Sequence, residues 1–197
     1  MQTLKPKRYV NVYTEANPNP QSLKFVVNFM LVADGESYEF APQNVEGSPL
    51  AAALFQTFPF VEKVFIAANF ITLTRNESIE WEEVVRQIKQ FVQQYLEEEK
   101  PVLTQTASVS SNAIRAGDSP IVQKIKSILD EYVRPAVEQD GGAITFHSFD
   151  EASGQVRVLL QGACSGCPSS TMTLKAGIEN LLKRMVPEVK EVVAEGV

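Results

Sequence analysis

Residues 155–178 read QVRVLLQGACSGCPSSTMTLKAGI: a strand, a four-residue loop and the opening of a helix. Gln155 to Gln161 is the strand. Pro168-Ser169-Ser170 starts the helix, with proline in the first turn, where its missing N–H removes no intrahelical bond. Leu174, Ile178, Leu181, Leu182 and Met185 then recur at helical spacing as its buried stripe. The loop between them, Cys164-Ser165-Gly166-Cys167, holds both cysteines of the chain.

Outward from this segment, Ala143 to Phe149 precedes the strand across a turn at Glu151 to Gly154, which makes a hairpin. Upstream, Ser119 and Pro120 open a helix whose apolar face is Ile121, Ile125, Ile128, Leu129, Tyr132 and Val133. Pro135 is expected to kink or end that helix, and Asp140-Gly141-Gly142 to turn the chain. Pro187 stops the last helix, and Val189 to Ala194 is a final strand, so the order is α-β-β-α-β.

Lys100 to Asp118 is rich in Ser, Thr and Ala, has no sustained hydrophobic period and follows Glu97-Glu98-Glu99. It reads as a flexible linker. The chain thereby divides into a domain over 1–99, a linker over 100–118 and a domain over 119–197. In the first domain Tyr9 to Thr14 and Leu23 to Phe29 read as strands around Asn17-Pro18-Asn19-Pro20. A short helix opens at Ser48-Pro49, and paired strands follow at Val61 to Ala67 and Phe70 to Thr74. A helix over Glu80 to Glu98 closes the domain, with Trp81, Val84, Val85, Ile88, Phe91, Val92 and Tyr95 on its apolar face. The expected class is α+β: two small α/β-sandwich domains, β-β-α-β-β-α then α-β-β-α-β, joined by the linker.

Two thiols three positions apart can bind a metal cluster, cycle between dithiol and disulfide, or do neither. A helix starting beside Cys167 turns unpaired N–H groups and the positive end of its dipole towards the thiols, which favours thiolate. Iron in a cluster, or zinc, prefers such soft anionic sulfur. An iron–sulfur cluster normally takes four protein thiolates, and this chain offers two. A cluster therefore needs two chains, whose CxxC loops meet across a twofold axis; a structural zinc could be shared the same way. Strand, CxxC and helix also describe the active site of a thioredoxin-like dithiol–disulfide oxidoreductase. Only thirty residues follow Cys167, enough for one helix and one strand.

Composition narrows the partners. Net charge is −6 with a pI near 5.0, which argues against nucleic acid, whose binding is dominated by Lys and Arg. No apolar run reaches the length of a membrane span, and the first residues show neither the apolar core of a secretion signal nor an Arg- and Ser-rich leader. A cytoplasmic protein is the resulting expectation.

From Asp140 to Val192 the chain resembles the NifU C-terminal, or Nfu, domain. The resemblance is carried by Asp140-Gly141-Gly142, by Gly162-Ala163-Cys164-Ser165-Gly166-Cys167-Pro168-Ser169-Ser170, by Thr173-Leu174-Lys175 with Gly177-Ile178-Glu179, and by Val186-Pro187-Glu188-Val189. The first domain is similar to the Nfu N-terminal domain through Asn17-Pro18-Asn19-Pro20-Gln21-Ser22-Leu23-Lys24-Phe25, Ser48-Pro49-Leu50-Ala51 and Phe70-Ile71-Thr72. The resemblance implies an iron–sulfur scaffold or carrier and not an enzyme. In that reading Cys164 and Cys167 bind a cluster, typically [4Fe-4S], between two subunits and hand it to apo iron–sulfur proteins. The implied partners are those clients, upstream cluster-assembly proteins and a second copy of the chain. One departure is Ala143, where the family usually has Asp.

The remaining candidates have plainer readings. His147 is the only histidine, and a lone imidazole in a strand is ordinarily packed or solvated. Met172 is expected to pack. Asp140-Gly141-Gly142 is read as a helix exit needing positive φ rather than as a device that positions the cysteine loop. Ser165, Ser169 and Ser170 either donate to cluster sulfurs or, for the last two, cap the helix.

Overall fold

The computed structural model describes residues 8–104, 110–165 and 168–196, with side chains from Met172 onward in the last stretch. The chain forms two domains of α+β class. In the first, β1 (Val12–Glu15), β2 (Ser22–Val27), β3 (Ser37–Phe40), β4 (Val61–Ala67) and β5 (Phe70–Arg75) make an antiparallel sheet in the order β1-β2-β5-β4-β3. Helices α1 (Pro49–Thr57) and α2 (Trp81–Glu97) are its partners. Ser48 caps α1 by accepting from Ala51 N at 3.0 Å, with Pro49 directly after it. Glu83 accepts from Glu80 N at the start of α2.

Side chains alternate along a strand, so each strand serves two faces. Phe25, Val27, Val64, Ile66, Ile71 and Leu73 face the helices and form the first core with Leu50, Leu54, Ile88 and Val92. Val26, Phe65, Ala67 and Phe70 point the other way and are equally buried, in a separate cluster whose remaining buried member is Ala143 of the second domain. The five-stranded sheet is thus covered on both sides, by its own helices and by the second domain.

In that second domain α3 (Pro120–Ile128), a π-helical turn (Leu129–Val133) and α4 (Arg134–Gln139) follow one another without a break. They pack with α5 (Pro168–Met185) on a three-stranded sheet. Its strands are β6 (Gly142–Asp150), β7 (Gln155–Gly162) and β8 (Glu191–Gly196), with β6 and β7 antiparallel and β7 and β8 parallel. Ile125, Leu129, Leu160 and Leu182 fill the core.

Three features depart from the sequence reading. Strand β3 was not expected; it adds a strand to the anticipated β-β-α-β-β-α order, and its four residues are too short a run to show a clear period. Pro135, expected to kink or end its helix, does not end it, in keeping with the first of those alternatives. A proline ring collides with the carbonyl four residues back in a regular helix, and the wide π turn immediately before it relieves that crowding. Tyr132, placed on the apolar face by spacing, is 52% exposed, because that turn shifts the helical register. The described residues of 100–118 are also well anchored. Val102 and Leu103 pack on the first core, and Ser110 pairs with Ser37. The buried Asn112 donates to Ile144 O at 3.0 Å and accepts from Phe146 N. Among the described residues no helix is long and apolar enough to cross a membrane.

Candidate functional site

Strand β7 ends at Gly162, whose φ of +64° sends the chain sharply into Ala163-Cys164-Ser165. Ser165 closes the turn twice, its N–H and its hydroxyl both donating to Gly162 O at 3.1 and 3.0 Å. Ala163 N donates to Gly141 O at 3.1 Å, so the glycine turn after α4 holds the cysteine loop directly. Gly141 has φ +81°, the helix-exit conformation expected of it. The turn therefore does both jobs between which the sequence reading chose.

Cys164 is 7% exposed and belongs to the apolar cluster of the second domain. Its sulfur lies against the backbone of Gly142, where a Cβ would come within 2.7 Å of Sγ. Beside it is a cavity of about 40 Å³ lined by Pro18, Asp140, Ala163, Cys164 and Leu174, a volume on the scale of a water molecule. Cys167, the second candidate ligand, lies outside the described residues, as does Gly166. Helix α5 begins at Pro168, directly after that cysteine.

The first domain supplies contacts to this loop that the sequence reading missed. Glu39 Oε2, on β3, accepts from Gly162 N at 2.7 Å. Lys63, on β4, pairs with Glu39 Oε1 and reaches Ser165 Oγ, each at 3.5 Å. Thr72, on β5, donates to Gly141 O at 2.7 Å, and Asn19 donates to Ala163 O at 3.4 Å. Their only trace in the sequence is the apolar character of both faces of β4 and β5, which requires two coverings. Burial raises the carboxyl of Glu39 above its ordinary value, against the opposing pull of the Gly162 N–H and the Lys63 ammonium. In the window between the ordinary and the raised value the folded chain holds more protons than the unfolded one, so this group's contribution to stability falls as pH rises. The Glu39→Gln variant, which keeps an acceptor for Gly162 N, should lack that slope in thermal unfolding followed across the window. A parallel pair of pH profiles would count against the assignment.

The other candidates lie elsewhere or differently. His147 is exposed, at the β6 bulge, in a separate cleft with Ser110, Arg115 and Lys126. Met172, expected to pack, is 75% exposed, on the first turns of α5. Ala143 is not a neutral departure in a turn but the second domain's apolar contact with Phe65 and Phe70. The thioredoxin-like alternative is not favoured: among the described residues the sheet that carries the cysteine loop has three strands, β6-β7-β8.

Residues 12–99 match the family model described as scaffold protein Nfu/NifU N terminal, and residues 125–193 match the NifU-like domain. The chain is 37% identical over 191 residues to NifU-like protein 4, mitochondrial, of Arabidopsis thaliana, covering 96% of the chain and 67% of that protein. The chain belongs to the Nfu family. A second Nfu relative, NifU-like protein 5, mitochondrial, of the same plant, is 36% identical over 98% of the chain and 70% of its own length. NFU1 iron-sulfur cluster scaffold homolog, mitochondrial, of Drosophila willistoni is 36% identical over 94% of the chain and 64% of its length. This Nfu chain thus spans about two thirds of these relatives. A solution structure of a NifU-like protein from Saccharomyces cerevisiae overlays 53% of the chain and 93% of its own, with TM-score 0.46 and 22% identity. The expectation of a cytoplasmic protein is corrected by the same relatives. They are mitochondrial proteins, which points away from the cytoplasm, and the composition of the first residues carries no compartment information strong enough to set against that.

Proposed function

We propose that this Nfu chain carries an iron–sulfur cluster, held jointly by Cys164 and Cys167 of two copies, and passes it to apo-proteins without turning over a small molecule. The observation that supports the reading most is the sulfur count: both cysteines of the whole chain lie in one loop between β7 and α5, half of what a cluster needs. The naming of the Drosophila relative as a cluster scaffold agrees with it. The chemistry follows from the placement. The start of an 18-residue helix favours the anionic thiolates and the anionic core they would hold. Transfer is thiolate exchange at iron: a client cysteine forms an iron–sulfur bond as one to Cys164 or Cys167 breaks, and the client's thiol proton ends on the released cysteine. Because each chain brings two ligands, separation of the copies removes half the donor set at once, which suits delivery better than storage.

Anaerobic reconstitution of the metal-free chain, with iron and sulfide analysis, Mössbauer spectra and mass measurement, tests this. The expected outcome is one [4Fe-4S] core per two chains and a mass that doubles on loading. A full complement of iron and sulfide on a strict monomer without added thiol overturns the shared site. Metal-free protein that reduces insulin disulfides catalytically restores the oxidoreductase.

A further inference from the structure

The face of the first domain that meets the cysteine loop is small in apolar area and rich in polar contacts. Its buried apolar part is Val26, Phe65, Ala67 and Phe70 against Ala143. Around that lie Glu39 on Gly162 N, Thr72 on Gly141 O, Asn19 on Ala163 O and Lys24 on Gln139 O. At the rim Arg134 pairs with the exposed Asp34 at 3.0 Å. Each of these groups finds water when the surfaces part, so the net cost of separation per contact is modest. Interfaces of this kind between domains of one chain are by default separable. The chain crosses between the domains over a short stretch, from Val102 and Leu103 on the first core to Asn112 on β6.

Docked, the first domain closes the site. Pro18 forms part of the wall of the small cavity beside Cys164, whose volume is about 40 Å³. Asn19 and Glu39 fix the loop backbone just before the cysteine, at Ala163 O and Gly162 N, while its sulfur lies against Gly142. Pro18 and Asn19 thus stand beside Cys164, and a partner's loop arriving from this side would have to displace them. We propose that the five-stranded domain is a removable cover, that the docked arrangement is the closed, cluster-free state, and that loading requires the sheet to leave residues 141–165. This rests on the carrier reading above for what is loaded, though not for the closure itself.

Ala143→Asp tests it, because the carboxylate would be buried against Phe65 and Phe70 when docked and solvated when undocked. Glu39→Arg is the second variant; it removes the acceptor of Gly162 N and sets two cations together with Lys63. Both are made in the full chain, with circular dichroism as the check on folding. In a Cys167→Ser background without metal, Cys164 should react with an aromatic disulfide reagent about tenfold faster or more in either variant, the change that ~1.4 kcal/mol of lost docking produces. With both cysteines present, either variant should take up iron and sulfide faster than the parent, and scattering should show a larger radius for the metal-free chain. If one variant fails to fold, the other decides. Unchanged Cys164 reactivity in folded variants, or slower loading than the parent, overturns the cover. Faster labelling with no iron uptake by any chain, the parent included, upholds the cover and removes the carrier reading.

Discussion

Chains in which Cys164 or Cys167 is replaced by serine should come out of anaerobic reconstitution colourless, with iron and sulfide near background. A shared core draws two thiolates from each copy, so one substitution per chain leaves two donors where four are required. A serine hydroxyl is a poor substitute, being harder and far less acidic than a thiol. The loss is therefore expected to be nearly complete rather than partial, and alike at both positions. The fold should survive, because serine is close in size to cysteine and Cys164 fills little volume in a cluster dominated by Leu129, Leu160, Ile178 and Leu182. Circular dichroism and a melting curve check this; burial of one hydroxyl at position 164 costs about 1–3 kcal/mol. Full occupancy in both serine variants would falsify the ligand assignment. An intermediate result, with one variant dark and the other colourless, would mean that only one cysteine holds iron and that the remaining donors come from elsewhere.

How far the sequence carries one to this site depends on the range of the interactions involved. Helix α2 is legible because seven apolar residues repeat at helical spacing, and its observed span, Trp81–Glu97, sits inside the expected Glu80 to Glu98. Ser48-Pro49 and Ser119-Pro120 are legible for the same local reason, each serine capping the helix that its proline opens. The cysteine loop is legible from the placement of its sulfurs between a strand and a helix. What the sequence does not disclose is long-range. Strand β3 is an edge strand of four residues that exists through pairing with β4, and it delivers Glu39 to Gly162 from 123 positions away. The second apolar face of β4 and β5 is visible in the letters, as Phe65, Ala67 and Phe70 interleaved with Val64, Ile66 and Ile71, but nothing local names the surface that covers it. Asn17-Pro18-Asn19-Pro20 reads as a turn between strands, yet the place of Pro18 beside Cys164 follows only from the docking of two domains.

Gly142→Ala should strongly destabilise the second domain. The residue sits at the start of β6, paired with Gly162 across the hairpin, and its φ is ordinary, so the objection is steric and not conformational. A Cβ there would lie 2.5 Å from the Gln161 carbonyl oxygen and 2.7 Å from the sulfur of Cys164. The first of these atoms belongs to the backbone of β7 and cannot rotate away, so the two strands must part where Gly141 holds Ala163. Overpacking a core costs about 1–3 kcal/mol, occasionally more, and displacement of main chain puts this site at the upper end, about 3 kcal/mol. That is a large part of the 5–15 kcal/mol that keeps a typical domain folded. Because the methyl pushes on Cys164 as well, cluster uptake should fall together with stability. Gly177→Ala is the matched control. It makes the same chemical change on α5, where nothing beyond the neighbouring residues and the helix's own backbone lies within 4 Å of the added methyl, and it should stabilise by roughly 0.5–1 kcal/mol through helix propensity while leaving iron uptake as it was. Denaturant melts and iron analysis of the two variants side by side give opposite signs if Gly142 is a spacer for the cysteine. Equal and small effects would mean that the loop and β6 move apart without cost.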